Sequence, residues 1–233
     1  MMAKALDANG AAKVYILGRR MDKLQEVAKQ GVTTPKSPIL RHVTDTSKIN
    51  GSMVPILADV TSKSDLEAAA TQVKVEVGFV NVVIANSGVT GPTLGGLPKD
   101  RQVSIAELQE YLWKSSQEEF TETYNVNVSG MMYTAVAFLS LLDAGNTSDK
   151  SVTKAKDIKS QFIATGSVGA YNRIPAAGFA YGGSKAAVHH VIKQLSTHLA
   201  PYHIRANVIA PGIYPSELTT VSSLDFKSYF EDD

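Results

Sequence analysis

Ser167, Tyr181 and Lys185 are the residues of this chain whose types and spacing can move a proton. They lie in the stretch SVGAYNRIPAAGFAYGGSK, residues 167–185, with the hydroxyl fourteen residues ahead of the phenol and the amine four residues beyond it. The Tyr/Lys pair opens an apolar run to Leu199 with helical spacing, and residues four apart share one helical face. An ammonium beside a phenol favours its ionised form. Tyr181 is therefore a candidate proton donor and acceptor, and Ser167, just past the apolar segment Phe162 to Thr165, can hydrogen-bond the oxygen that exchanges the proton. A Tyr four residues before a Lys also occurs on solvated helix faces, so the pair gains weight only from its surroundings.

Those surroundings follow an ordered pattern. Asn86, Ser87 and Gly88 come after the apolar, β-branched run Val80 to Ala85; Asn127 lies within YNVNVSG; Pro211 and Gly212 follow Ile204 to Ala210. Together with Ser167, Tyr181 and Lys185, this succession resembles the short-chain dehydrogenase/reductase family across nearly the whole chain. The resemblance implies an α/β fold, a Rossmann-like doubly wound parallel sheet with the cofactor across the carboxyl ends of its strands. It also implies a strand and glycine-rich turn before Met1, and a substrate lid, helix and final strand at the other end. The expectation is thus a single domain over residues 1–233, truncated at both ends, whose incomplete sheet lacks its first and last strands. Neither GPTLGG (91–96) nor TGSVG (165–169) has the strand, glycine spacing and helix of a pyrophosphate cradle in one unit.

The family pattern carries roles onto particular residues. Ser167 polarises a carbonyl, Tyr181 donates the proton, Lys185 favours the phenolate and contacts the cofactor ribose, and Asn127 disturbs its helix and supports a proton relay. Gly18-Arg19-Arg20 closes the run Lys13 to Leu17, where an Arg accommodates a 2′-phosphate, so NADP(H) is favoured over NAD(H); a solvated basic turn is the competing reading. Asp59 and Val60 match the adenine position, although Asp59 can equally serve the turn that starts the next helix. Asn86 braces central strands and Gly88 lets the backbone approach the cofactor. The family's usual pair of Asn, then Ala and Gly, is altered here: Ala85 replaces the first Asn and Ser87 the Ala. Pro211, Gly212 and Ile213 match the segment that holds the nicotinamide carboxamide, with an ordinary turn as the alternative, and Ser216 stands where a cofactor-binding Thr is usual.

Composition narrows the function classes. With 233 residues and 44% hydrophobic content the chain can build a full core, and a net charge of +1 gives no electrostatic case for nucleic acid or an anionic membrane. Absence of cysteine excludes disulfides and thiolate metal sites, and the five histidines lack ligand spacing. His189 and His190 read as helix-face residues. No signal-peptide pattern or bilayer-length apolar run is visible, which makes the cytoplasm the default and leaves the sequon at Asn146 unused.

The remaining elements must position these side chains. Helices are expected over Met1 to Asn9, Met21 to Gln30, Ser64 to Val77, Ser104 to Ser116, Glu118 to Leu142 and Tyr181 to Ala200, and strands over 13–17, 53–58, 80–85, 160–165 and 204–210. In the fourth helix Ile105, Leu108 and Leu112 are expected to face inward and Trp113 to pack. Residues 31–52 and 143–159 read as loops. The functional expectation is an NADP(H)-dependent oxidoreductase that interconverts a small-molecule carbonyl and a secondary alcohol, a homo-oligomer (dimer or tetramer) by resemblance. The alternative is a non-catalytic subunit that binds partners through its two long helices.

Overall fold

Apolar β-branched runs alternating with amphipathic ones pair in parallel with helical crossovers, and a computed structural model shows this arrangement. It describes residues 2–30, 52–98, 100–148, 158–175 and 177–213. The chain divides into two units, Met1–Gln72 and Val73–Asp233. The loop expected over 31–52 lies almost wholly outside the described residues, as do Ser216 and the C-terminal stretch.

The first unit contains α1 (Met2–Ala8), β1 (Lys13–Gly18), α2 (Met21–Lys29), β2 (Ser52–Leu57) and the first part of α3 (Lys63–Glu76). β1 and β2 are parallel, in register from Lys13 opposite Ser52 to Gly18 opposite Leu57. Val14, Met53, Ile56 and Ala58 are buried. Pro55 has no N–H to give, and it falls in a strand that, among the described residues, pairs on one side only.

The second unit holds a three-stranded parallel sheet in the order β3 (Val82–Ala85), β4 (Gln161–Thr165), β5 (Arg205–Ile209). Its registers run from Val82 opposite Gln161 and from Gln161 opposite Arg205, so the three strands end together. Between β3 and β4 come α4 (Ile105–Trp113), α5 (Gln117–Tyr124), a π-helical turn (Asn125–Ser129) and α6 (Gly130–Thr147); α7 (Phe179–His198) joins β4 to β5. Met131, Ala135 and Leu142 of α6 meet Phe162 and Ala164 of β4 and Val188, Ile192 and Leu195 of α7 in one core. Each such large side chain, fully buried, contributes about 1.5–3 kcal/mol. Contrary to the expectation that no apolar run reaches bilayer length, Gln117–Thr147 is long and apolar enough to cross a membrane, but its α6 part supplies Met131, Ala135 and Leu142 to this core.

Two helices depart from the sequence reading. α6 continues past Leu142 to Thr147 because its last polar turn has tertiary partners: the Asn146 side chain accepts from Ser160 N–H at 2.7 Å and donates to the carbonyls of Tyr202 and His203. In α4, Ile105 and Trp113 are 79% and 86% exposed and Leu112 is exposed as well. The inward stripe expected there is thus limited to Leu108 and Tyr111, both half-buried. The helix starts with a reciprocal capping box between Ser104 and Glu107. It is tied to the preceding loop by the Tyr111 hydroxyl, which accepts from Gly96 N–H and donates to the Thr93 carbonyl.

Candidate active site

Strands that end in register deliver their next residues to one edge. Beyond β4, Gly166 N–H donates to the Ile209 carbonyl at 2.8 Å and Val168 N–H to the Pro211 carbonyl at 3.0 Å, so pairing with the β5 side continues past both strands. The Thr165 hydroxyl donates to Asn86 Oδ1 at 3.1 Å, which ties the end of β3 to the end of β4. Asn86, Gly88, Ser167, Pro211 and Gly212 are therefore brought to the carboxyl ends of the sheet, the place where open α/β sheets take ligands.

Ser167 is extended (φ −167°, ψ 152°) and caps a 3₁₀ turn, Val168–Ala170, with its Oγ accepting from Gly169 N–H at 3.0 Å. That leaves its own hydroxyl proton to give. A Cβ on Gly169 would stand 3.4 Å from the Tyr181 ring, so the turn that begins at Ser167 runs directly past the phenol.

Four residues on, Lys185 is only 4% exposed, and burial pushes its amine down from 10.5 to about 8. Its Nζ donates to the Thr165 carbonyl at 2.7 Å and lies 5.7 Å from the centroid of the Tyr181 ring. The simple picture of an ammonium next to the phenol oxygen is refined: the amine is anchored to the end of β4 and faces the ring.

Asn127 is 2% exposed and sits in the π-helical turn, where the family resemblance implied a disturbed helix. A π turn inserts one residue and re-aims the side chains on either side of it. Asn127 Oδ1 accepts from Val89 N–H at 2.8 Å, while Nδ2 donates to the Val89 carbonyl and to Ser184 Oγ, each at 2.9 Å. Ser184 in turn donates to the Tyr181 carbonyl at 2.8 Å. The loop after β3, the π turn and the helix carrying Tyr181 and Lys185 are thus bound into one network. Gly88 lies inside it: a Cβ there would meet Asn127 Oδ1 at 3.1 Å and Lys185 Nζ at 3.4 Å.

Beyond β5, Ile213 is exposed, and among the described residues nothing stands within 4 Å of where a Gly212 Cβ would be. Ser216 lies outside the described residues. In the first unit, Arg19 approaches Asp59 at 3.8 Å. Asp59 Oδ1 accepts from both the N–H and the hydroxyl of Thr61, and these bonds, with Arg19 as a lesser contributor, hold its carboxyl below the usual carboxylate range. The turn-forming role foreseen for Asp59 is therefore present, and Val60 is the half-buried residue at its centre.

One residue escaped the sequence reading. His189, placed there on a helix face, is 6% exposed, and its Nε2 accepts from Ser167 N–H at 3.3 Å. Its position eight residues after Tyr181 and four after Lys185, on the same helical face, was the available signal.

The profile of the short chain dehydrogenase family matches residues 1–225. The chain belongs to the short-chain dehydrogenase/reductase family. Among its relatives is the short-chain dehydrogenase/reductase PhomF′ of Diaporthe leptostromiformis, 40% identical over 94% of this chain and 67% of its own length. SAT3 of Stachybotrys chartarum, also named a short-chain dehydrogenase/reductase, is 41% identical over 94% of this chain and 77% of its own length. Solved members share the fold. The 3-ketoacyl-(acyl-carrier-protein) reductase of Brucella melitensis, complexed with NADH, superimposes with a TM-score of 0.68 at 24% identity, covering 94% of this chain and 72% of that one. An alcohol dehydrogenase of Thermococcus sibiricus, complexed with 5-hydroxy-NADP, gives 0.64 at 21%, covering 92% and 71%. The chain is therefore a Rossmann-like α/β member of a family of oxidoreductases.

Proposed function

We propose that this chain interconverts a small-molecule carbonyl and a secondary alcohol with NADP(H), with Tyr181 as general acid and base. The observation that carries the reading is the single network joining Asn127, Ser184, Tyr181 and Lys185 beside the Ser167 turn. The residues fit the nicotinamide and ribose half of such a cofactor: a buried amine, backbone groups at three strand ends and a Gly88 that brings the backbone close to Asn127 and Lys185. Gly88, Asn86, Pro211, Gly212, Ile213 and Ser216 would hold that half together with Tyr181 and Lys185, while Arg19, Asp59 and Val60 would serve the adenosine end. When bound, the nicotinamide supplies or receives the hydride.

The chain's own residues manage the proton. Ser167 accepts from Gly169 and so presents its O–H to the substrate oxygen, fixing the carbonyl and polarising it. Tyr181 gives its proton to that oxygen, or takes it back in the oxidative direction. Lys185, anchored to the Thr165 carbonyl and facing the Tyr181 ring, would contact the cofactor ribose. Asn127 holds the loop at Val89 and passes order through Ser184 to the Tyr181 backbone, and we assign it the relay position.

The reading of residues 1–233 as one domain, a cytoplasmic location and a homo-oligomer, dimer or tetramer, belong to the same proposal. Exposed Tyr133 and Val136 on α6 favour a subunit contact, which also supports the second reading, a non-catalytic subunit that binds partners. Titration with NADPH and NADH by calorimetry, followed by hydride transfer to a ketone panel, separates the two. Saturable NADPH binding with turnover supports the enzyme; no binding of either nucleotide favours the partner-only subunit.

A further inference from the structure

His189 is a buried titratable side chain that the scheme above does not use. Its two nitrogens have different partners. Nε2 faces Ser167 N–H at 3.3 Å, and Nδ1 lies 2.8 Å from the Tyr171 hydroxyl. A backbone amide can only donate, so Nε2 must carry a lone pair and the ring proton of a neutral imidazole must sit on Nδ1. An imidazolium would set a donor against a donor. Burial, then the charges of Lys193 and Lys185, push the imidazole below its ordinary 6.5 and favour the same neutral form.

The surroundings are shaped around this ring. A Cβ at Gly166 would stand 2.2 Å from Nε2, so this close approach of β4 to the imidazole requires glycine. On the other side, the Tyr171 ring meets the imidazole edge to face, with centroids 5.0 Å apart at 78°. The ring therefore grips the backbone at the residue whose hydroxyl is aimed at the reacting oxygen.

We propose that His189 is a positioning residue for Ser167: as the neutral Nδ1–H tautomer it takes the Ser167 amide on Nε2 while Tyr171 accepts from Nδ1–H. The proposal rests on the role given to Ser167 above. It makes the Ser167 amide the group that fixes the tautomer, with the Tyr171 hydroxyl free to accept from Nδ1–H, and it explains why Ser167 holds a fixed orientation at the mouth of a turn. A displacement of about 1 Å in such a group can reduce turnover by about a hundredfold.

The test pairs two variants with a spectroscopic readout on the full chain. His189→Gln keeps an acceptor near the Nε2 position; His189→Met keeps bulk and loses it. With NADPH and a ketone substrate, His189→Met is expected to lower kcat by about 10–100-fold with KM little changed, and His189→Gln to recover most of the loss. Equal losses in both variants, or none in either, overturn the proposal. Independently of activity, ¹⁵N NMR of histidine-labelled protein at pH 7 is expected to show His189 protonated at Nδ1 and bare at Nε2. The opposite tautomer, or an imidazolium, also overturns it. If the wild-type chain turns over no ketone, the oxidoreductase reading fails, and the NMR measurement still decides the geometry at His189.

Discussion

Lys185→Met exchanges a buried amine for an apolar side chain of similar reach, and so isolates the electrostatic cost of placing a cation in this site. The amine is 4% exposed and burial moves it from 10.5 to about 8. A folded value below the unfolded one means that the folded state binds fewer protons between pH 8 and pH 10.5. Stability contributed by this group is therefore lowest below that window and rises with pH through it. The fall from 10.5 to about 8 corresponds to about 3 kcal/mol against folding at neutral pH. Removing the amine relieves that cost but leaves the Thr165 carbonyl without its 2.7 Å donor, a loss of about 1–3 kcal/mol. The two effects largely cancel at pH 7, so the variant stays close to wild type there. The pH dependence separates them. Between pH 8 and about pH 9.5 the wild type should gain about 1.5 kcal/mol relative to Lys185→Met. Urea unfolding of both proteins without nucleotide, at fixed pH values across this range, measures it. A stability difference that stays constant would refute the burial argument for Lys185.

Other residues give independent checks. Asn127→Ala removes three hydrogen bonds, one buried and two part-buried, and takes away the side-chain partner of both backbone groups of Val89; it should lower stability by about 2–4 kcal/mol, seen as a lower urea midpoint, and an unchanged midpoint would contradict the network. Gly166→Ala places a methyl group 2.2 Å from His189 Nε2; a loss of about 1–3 kcal/mol and a shifted His189 ring resonance are expected, whereas wild-type values for both would mean the approach is looser than described. Arg19→Ala should weaken NADPH binding by about 10–100-fold, the worth of a charge-assisted hydrogen bond, with NADH affinity nearly unchanged; equal effects on both nucleotides would remove Arg19 from the 2′-phosphate.

Much of this site could be read directly from residue types and spacing. The interval of Ser167, Tyr181 and Lys185 picked out side chains that the structure brings to one strand end and one helix, and the family resemblance implied the disturbed helix that the structure places as a π turn at Asn125–Ser129. Strand positions were legible because continuous β-branched runs have few other uses in a parallel sheet. What was not legible depended on long-range partners. A histidine in an apolar stripe looks the same whether it faces solvent or a backbone amide, and only the approach of Gly166 distinguishes the two for His189. Periodicity in α4 gave a stripe but could not say what covers it, and Ile105 and Trp113 are exposed. The last turn of α6 looked like a loop because Asn146 finds its partners only after β4 and the turn following α7 have been placed.

Tyr181→Phe tests the central claim most directly, through NADPH oxidation followed in a single turnover against a broad ketone panel. Nucleotide binding should persist while hydride transfer falls by about 10²–10⁴-fold, the usual worth of a positioned proton donor. Turnover at the wild-type rate without the phenol hydroxyl would contradict the account.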